Sequence, residues 1–292
     1  MKNETLLVVG YGSLLSGYGM LAERRRGGSR LVAREAFPVS LQNARRGLAK
    51  PSSHGSYLAM DLEPVRPNEP ITARTGGKGA GVGAIGLVFD REWAPSIARR
   101  EEYSPEKLVE LIELADRAGR PLGDFLLDIA RRARFDLLGY RRALCELLGY
   151  TSRGYIFHPL PLDDGRVAIV AIGSGHDGSG DLAVRSRRDE CGIDRLLALG
   201  EALSLDHREI DGEGQIGYFV EAILGGLHGL GVADLMGRVH LNTKLRRQVV
   251  RLFAGAAAAE RERFTSATSL SAAQYRERFS GIPDPSLASL LE

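Results

Sequence analysis

Two short stretches of the sequence carry residue types that could perform chemistry together. The first, at residues 10–14, reads Gly-Tyr-Gly-Ser-Leu and directly follows a run of apolar residues. Because glycine allows backbone angles and close approaches that a side chain would forbid, such a turn after a buried strand can present its amides to an anion. The second, at residues 99–103, reads Arg-Arg-Glu-Glu-Tyr and supplies carboxylates that could move a proton. Taken alone, this second stretch is more typical of a solvated cluster of charges.

Other glycine, histidine and cysteine patterns do not complete a recognisable site. The turn at residues 10–14 begins like a dinucleotide-binding fingerprint, but the third glycine would fall at position 15, where Leu15 stands. The glycine-rich stretch at residues 173–180 lacks the Gly-Lys-Ser/Thr ending of a phosphate-binding loop. The histidines have no metal-ligand spacing, and Cys145 and Cys191 are too far apart to indicate a disulfide framework. The sequence therefore predicts no metal and no cofactor.

The composition is that of an ordinary globular protein. Its 292 residues, 43% of them hydrophobic and 26% charged, can bury the core of one large domain or two small ones. The formal net charge is only +2, so bulk electrostatics do not favour nucleic-acid binding. Sparse cysteines, the lack of a secretory cleavage pattern and the lack of an apolar run of bilayer length predict a cytoplasmic protein without membrane association.

Several predicted strands precede the first long helix, which favours an α+β fold over alternating βαβ units. Residues 43–47 are predicted to form a polar turn, and residues 67–81 a flexible loop. An Asp-Gly pair at residues 164–165 indicates a hairpin between two apolar segments. The strands are predicted at residues 6–9, 30–41, 57–64, 82–90, 153–162 and 166–173.

A helical block is predicted between these strands. Ser104 and Pro105 are typical of a helix start, and helical spacing then continues in three segments to about residue 150. Residues 104–150 therefore form a predicted insertion. We predict a strand-rich domain at residues 1–180, interrupted by this insertion, and a helical C-terminal region at residues 181–292 that packs on it. Helices in that region are predicted near residues 193–203, 216–230, 243–263 and 271–279.

Together, the two stretches resemble the γ-glutamylcyclotransferase-like superfamily, with its ChaC-type and AIG2-like relatives. Members carry a Tyr-Gly-Ser-Leu or Tyr-Gly-Ser-Asn turn and, after several strands, an acidic residue in a context such as Arg-Glu-Gly-Tyr. The matching residues here are 11–14 and Arg100-Glu101-x-Tyr103. Gly214-x-x-Gly217-Tyr218 is similar to the helical tail of the ChaC-type branch, which acts on glutathione. The resemblance implies a mixed, barrel-like sheet wrapped by C-terminal helices.

The resemblance also implies a reaction, the cyclisation of a γ-glutamyl amide to 5-oxoproline with release of an amine. The substrate's α-amine would attack its own γ-carbonyl, and a nearby carboxylate would accept the proton and deliver it to the leaving amine. Glu101 is the implied catalytic residue. Glu102 stands where the family often has glycine, so the base is open between these neighbours, and the register with Tyr103 favours Glu101. The implied substrate-binding residues are Tyr11, Gly12, Ser13 and Leu14.

Three matters stay open at the level of sequence. The fold could serve a non-catalytic binding protein for a small metabolite. Ser13 could be the nucleophile of a hydrolase or acyltransferase, although no His or Asp partner can be named for it. The insertion at residues 104–150 could cap the pocket, alter the size of the γ-glutamyl substrate or form a homo-oligomer contact.

Overall fold

The fold is mixed α+β and is built on a six-stranded sheet that curls into a half barrel. The computed structural model describes residues 5–21, 30–51, 58–77, 81–150, 155–173, 212–230 and 243–280. The strands are β1 Thr5–Gly10, β2 Glu35–Gln42, β3 Ala44–Pro51, β4 Leu58–Pro64, β5 Thr72–Thr75, β6 Val82–Asp90, β7 Ile156–Pro161 and β8 Val167–Ile172.

Strand β1 lies inside the main sheet, whose strand order is β5-β2-β6-β1-β8-β7. It pairs antiparallel with β6 and parallel with β8. The sheet curls far enough for its edges to meet, since Ala73 forms a bridge with Leu162 and the Asp163 amide donates to the Ala73 carbonyl at 3.0 Å. Gly86 in β6 leaves room for the Phe37 ring, which a Cβ would approach to 2.5 Å. Strands β3 and β4 form a separate antiparallel pair.

Helices cover the sheet and follow it in the chain. Their bounds are α1 Gly17–Leu21, α2 Ala94–Arg100, α3 Pro105–Arg117, α4 Leu122–Arg132, α5 Leu137–Leu148, α6 Gly212–Leu224, α7 Thr243–Ala257, α8 Glu260–Thr268 and α9 Ala272–Phe279. Short 3-10 turns occur at Ser13–Leu15, Arg91–Trp93 and Gly225–His228. Within the described parts of the chain, no helix has the length and apolar character needed to cross a bilayer.

Helices α3 to α5 occupy the predicted insertion between β6 and β7. The Ser104 hydroxyl accepts from the Lys107 amide at 3.2 Å, which confirms the predicted helix start. The insertion packs against the hairpin of β7 and β8, because Gly123 lies where a Cβ would come within 2.2 Å of the Val167 carbonyl oxygen. The Tyr140 hydroxyl also donates to the Phe157 carbonyl at 2.7 Å.

Four local predictions were wrong. Two of them missed strands, and long-range contacts explain why these strands form. Strand β3 occupies the predicted polar turn, because it pairs with β4 and because Arg46 donates to the Gly83 carbonyl at 2.9 Å. Strand β5 lies in the predicted loop, where it pairs with β2. Helix α2 forms at residues 94–100, where no helix was predicted, and residues 243–263 fall in two helices instead of one. The helix predicted near residues 193–203 lies outside the described residues.

Candidate active site

A cleft opens where β1 ends. It collects residues that are distant in the chain and that the curled sheet and its helices bring together. Its walls include the turn at residues 10–14, Met60 of β4, residues 100–102 at the end of α2, Tyr155 before β7, Ala171 of β8 and Tyr218 of α6. The described residues of the insertion do not line it, so α3 to α5 do not form its wall.

The turn at residues 10–14 requires glycine at two positions. A Cβ on Gly10 would lie 2.5 Å from the Leu14 Cβ, because the chain folds back on itself there. A Cβ on Gly12 would lie 2.9 Å from the hydroxyl oxygen of Tyr218, which sits above the turn. The turn closes when the Leu15 amide donates to the Gly12 carbonyl at 2.9 Å. Close packing of the chain thus explains both glycines, and a dinucleotide-binding site is not needed to explain them.

The residues just after this turn are held by the C-terminal helices. The Ser16 hydroxyl donates to the Glu221 carbonyl at 2.6 Å and accepts from the Gly19 amide at 2.9 Å. The Glu260 carboxylate accepts from the amides of Gly17 and Tyr18, at 2.7 and 3.1 Å. A carboxylate at the start of a helix offsets the partial positive charge of its unpaired amides. Helix α1, and the turn before it, are therefore fixed from α6 and α8.

Tyrosine hydroxyls make hydrogen bonds with the backbone around the cleft. Tyr11 donates to the Ala171 carbonyl at 2.7 Å, and Tyr155 donates to the Met60 carbonyl. The Met60 amide in turn donates to the Tyr218 hydroxyl at 2.8 Å. Tyr11 and Tyr155 each donate their hydroxyl proton to a carbonyl. These two tyrosines therefore have a structural role in the cleft wall.

Burial raises the pKa of Tyr11 and the pKa of Tyr155 well above 10. Neighbouring groups add to this effect, including the carboxylates of Asp61 and Glu101, because a second negative charge nearby is unfavourable. Both tyrosines therefore stay neutral in the physiological range. Glu101 lines the same cleft as both tyrosines.

The backbone at the end of α2 turns sharply and brings Glu101 and Glu102 to the cleft lining. The Glu102 amide donates to the Arg99 carbonyl at 3.3 Å, and the Tyr103 amide donates to the Ala98 carbonyl at 2.9 Å. This is the Schellman pattern, which places Glu102 in the left-handed region with a φ of 53°. Tyr103 anchors the far side of the corner, where its buried ring packs edge-on against that of Phe157 at 5.3 Å between centroids.

Arg100 joins the two halves of the cleft wall. Its side chain is 3% exposed, and one terminal nitrogen donates to the Ser13 hydroxyl at 3.4 Å. The same nitrogen lies 3.8 Å from a carboxylate oxygen of Glu221 on α6. A guanidinium in this position places positive charge beside the turn. It contacts Ser13, one of the predicted site residues.

The structure brings all the predicted site residues to one cleft. Glu101 and Glu102 line it together with the turn that contains Tyr11, Gly12, Ser13 and Leu14. Ser13 and Arg100 are in contact although 87 positions separate them in the chain. The roles assigned to these residues stay predictions.

Several residues near the cleft were not predicted as functional. Asp61 is buried, and its carboxylate accepts from the amides of Leu62 and Gly173, at 2.8 and 2.7 Å. An aspartate inside the apolar segment Leu-Ala-Met-Asp-Leu of β4 was the available signal, because a buried carboxylate needs donors. Tyr155 had no such signal. It directly precedes strand β7, whose residues are apolar or bulky, so a tyrosine does not stand out there.

The histidines of the described residues lie away from the cleft lining. His158 is buried in β7, where Nδ1 donates to the Pro159 carbonyl at 2.9 Å and burial lowers its pKa to about 4. His228 lies between Glu260 and Tyr275, with its ring nitrogens 3.0 and 2.6 Å from their oxygens. Over the ranges that the structure describes, no group of three or more His, Cys, Asp or Glu side chains could hold a metal ion.

Comparison with known proteins adds nothing to these observations. A scan against protein-family models, a search of curated proteins and a search of solved structures each returned no match. A function can therefore be inferred only from the residues of this chain and their arrangement.

Proposed function

We propose that this protein cyclises the γ-glutamyl group of a γ-glutamyl amide to 5-oxoproline and releases an amine, as γ-glutamylcyclotransferase-like enzymes do. The observation that carries the proposal is that Glu101 and the turn at residues 10–14 line one cleft. The curled sheet and the parallel pairing of β1 with β8 are compatible with the barrel-like fold that the resemblance implies.

The reaction needs one proton acceptor and one anion-binding surface. The α-amine attacks the γ-carbonyl carbon, a C–N bond closes a five-membered ring, and Glu101 takes the proton that the nitrogen loses. Glu101 then returns this proton to the leaving amine as the old C–N bond breaks. Backbone amides of the turn and the Ser13 hydroxyl would hold the substrate folded. The α-amine would then lie close to the γ-carbonyl carbon that it attacks.

The conformation of Glu102 supports the match to the family pattern. Glycine is often found at this position in the family, and here the backbone has a φ of 53°, which glycine adopts without strain. The corner therefore has the shape that a glycine would serve, although this chain carries glutamate. Glu102, whose backbone is strained, is the residue that departs from the family pattern. Glu101 matches the pattern and is therefore favoured as the base.

Among the described residues of the cleft, none favours Ser13 as an acyl nucleophile. Its hydroxyl accepts from the Arg100 guanidinium, which cannot act as a general base. Among the described residues that line the cleft, there is no histidine to activate a serine. The binding-protein alternative differs from the proposal only in turnover, which makes the two readily separable.

The test uses the full chain with glutathione and a panel of γ-glutamyl amines, and 5-oxoproline is followed by mass spectrometry. We expect turnover of at least one panel member and a loss of about 10²- to 10⁴-fold in kcat for Glu101→Gln. Glu102→Gln is the matched control and should keep activity within a few fold. Absence of turnover across the panel would contradict the enzyme proposal, and tight binding without turnover would favour the binding protein.

A further inference from the structure

The cleft carries positive charge at one place in its described lining, the guanidinium of Arg100. This group is almost fully buried and reaches the turn at Ser13. Glu221, 3.8 Å away on α6, offsets its charge from the side of the C-terminal helices. A guanidinium in the wall of a cleft has a functional reason to be there if it binds an anionic ligand.

The proposed substrate offers that reason, because a γ-glutamyl group ends in a zwitterion. Its α-ammonium must lie near the base Glu101, since this nitrogen is the nucleophile. Its α-carboxylate is bonded to the same carbon and therefore lies within a few ångströms of the base as well. Arg100 is adjacent to Glu101 in the chain, and an arginine fork binds a carboxylate through two parallel hydrogen bonds.

We infer that Arg100 binds the α-carboxylate of the γ-glutamyl group and makes a free α-carboxylate a condition of recognition. The inference rests on the proposed function for its choice of substrate. Ser13 would share the carboxylate with Arg100, and Glu221 would balance the guanidinium when the cleft is empty. The chain would thereby prefer γ-glutamyl compounds to amides of simple γ-amino acids.

A pair of substrates that differ only in this carboxylate tests the inference. The first is a γ-glutamyl amide, and the second is the γ-aminobutyryl amide of the same amine, which keeps the nucleophile and the carbonyl and would cyclise to 2-pyrrolidinone. For Arg100→Gln we expect kcat/KM to fall about 10- to 100-fold on the first substrate, the usual worth of a charged hydrogen bond. On the second substrate it should change by less than about threefold, because no carboxylate is lost.

Matched variants separate binding of the carboxylate from a structural role. Arg99→Gln removes an exposed arginine from the same helical turn and should leave both substrates unaffected. Arg100→Lys keeps the charge without the fork and should give an intermediate loss on the first substrate alone. Equal losses on both substrates would show that Arg100 only supports the wall, and would overturn the inference.

A binding measurement decides the inference without turnover. Titration calorimetry of the full chain compares 5-oxoproline, which keeps the carboxylate, with 2-pyrrolidinone, which lacks it. The unaltered chain should prefer 5-oxoproline, and Arg100→Gln should weaken that binding about 10- to 100-fold. If this holds while no substrate is turned over, the proposed reaction fails and the role of Arg100 stands. Lack of preference for 5-oxoproline would overturn the inference.

Discussion

The two halves of the cleft wall are held in place by different means. The turn at residues 10–14 is neutral, and the groups that fix it come from α6 and α8, more than two hundred positions further along the chain. The corner after α2 carries the charges, and its main-chain hydrogen bonds run to the helical turn just before it. The geometry of the turn therefore depends on tertiary structure, whereas the placement of Glu101 and Glu102 is local.

The largest effect should come from crowding the turn itself. A Cβ on Gly19 would lie 1.9 Å from the Ser13 carbonyl oxygen, so Gly19→Ala must displace backbone that supports the cleft. We expect the free energy of unfolding to fall by about 3 kcal/mol and activity to be lost. Denaturant unfolding and 5-oxoproline assays measure both.

Gly217→Ala is the matched control for this substitution. Gly217 lies in α6 beside Tyr218 and has open space where its Cβ would be. Alanine should keep activity and stabilise the helix by about 0.5–1 kcal/mol. Equal behaviour of the two variants would refute the claim that the turn is closely packed.

The second effect tests how far the turn depends on α8. Glu260→Ala removes the acceptor of the Gly17 and Tyr18 amides and the partner of His228. Leaving these buried groups unpaired should lower the free energy of unfolding by about 2–3 kcal/mol and should raise KM, because the turn before α1 loses its support.

Glu262→Ala provides the comparison for Glu260→Ala. Glu262 is exposed in the first turn of the same helix, so its loss should change stability by less than about 0.5 kcal/mol. A Glu260→Ala variant that unfolds earlier but keeps its KM would show that the turn is independent of α8.

A third test concerns the pH dependence of the neutral half. Tyr11→Phe removes the hydroxyl that donates to the Ala171 carbonyl, which should lower the free energy of unfolding by about 1–2 kcal/mol. Burial, with the nearby Asp61 and Glu101, raises the pKa of Tyr11 well above 10, so it stays protonated below that pH. The shape of the kcat/KM profile between about pH 6 and 9 should therefore not change.

Tyr140→Phe is the control for this test. Tyr140 is equally buried and donates to the Phe157 carbonyl at 2.7 Å, but it lies in the insertion away from the cleft. It should cost similar stability and leave kcat/KM unchanged. If the kcat/KM profile of Tyr11→Phe lacked an ionisation that the unaltered chain shows, Tyr11 would titrate in this pH range, and the prediction would be wrong.

The smallest effect concerns the charged corner. Glu102→Gly should relieve the left-handed strain at a φ of 53° and raise the free energy of unfolding by about 0.5–1 kcal/mol, measured by thermal unfolding. Activity should persist, because Glu101 keeps its place. Glu102→Ala removes the same carboxylate and keeps the strain, so it should not gain stability. A hundredfold loss of activity in both variants would move the base to Glu102.

Elements with local signals were predictable from the sequence. The start of α3 at Ser104 and Pro105, the hairpin around residues 164–165 and the strand β6 all carry capping, turn or periodicity signals in their own residues. Strands β3 and β5 do not, because what stabilises them is pairing with β4 and β2. Propensity cannot report a partner that lies elsewhere in the chain.

By itself, the sequence determined the residue types of the candidate site: a glycine-flanked turn after a strand and a pair of carboxylates beside two arginines. Only the tertiary structure decided that these meet, that Tyr155 and Tyr218 complete the wall, and that Arg100 reaches Ser13. The physical reason is that turns and caps arise from neighbouring residues, whereas a cleft arises from the curl of a sheet and from helices that pack on it.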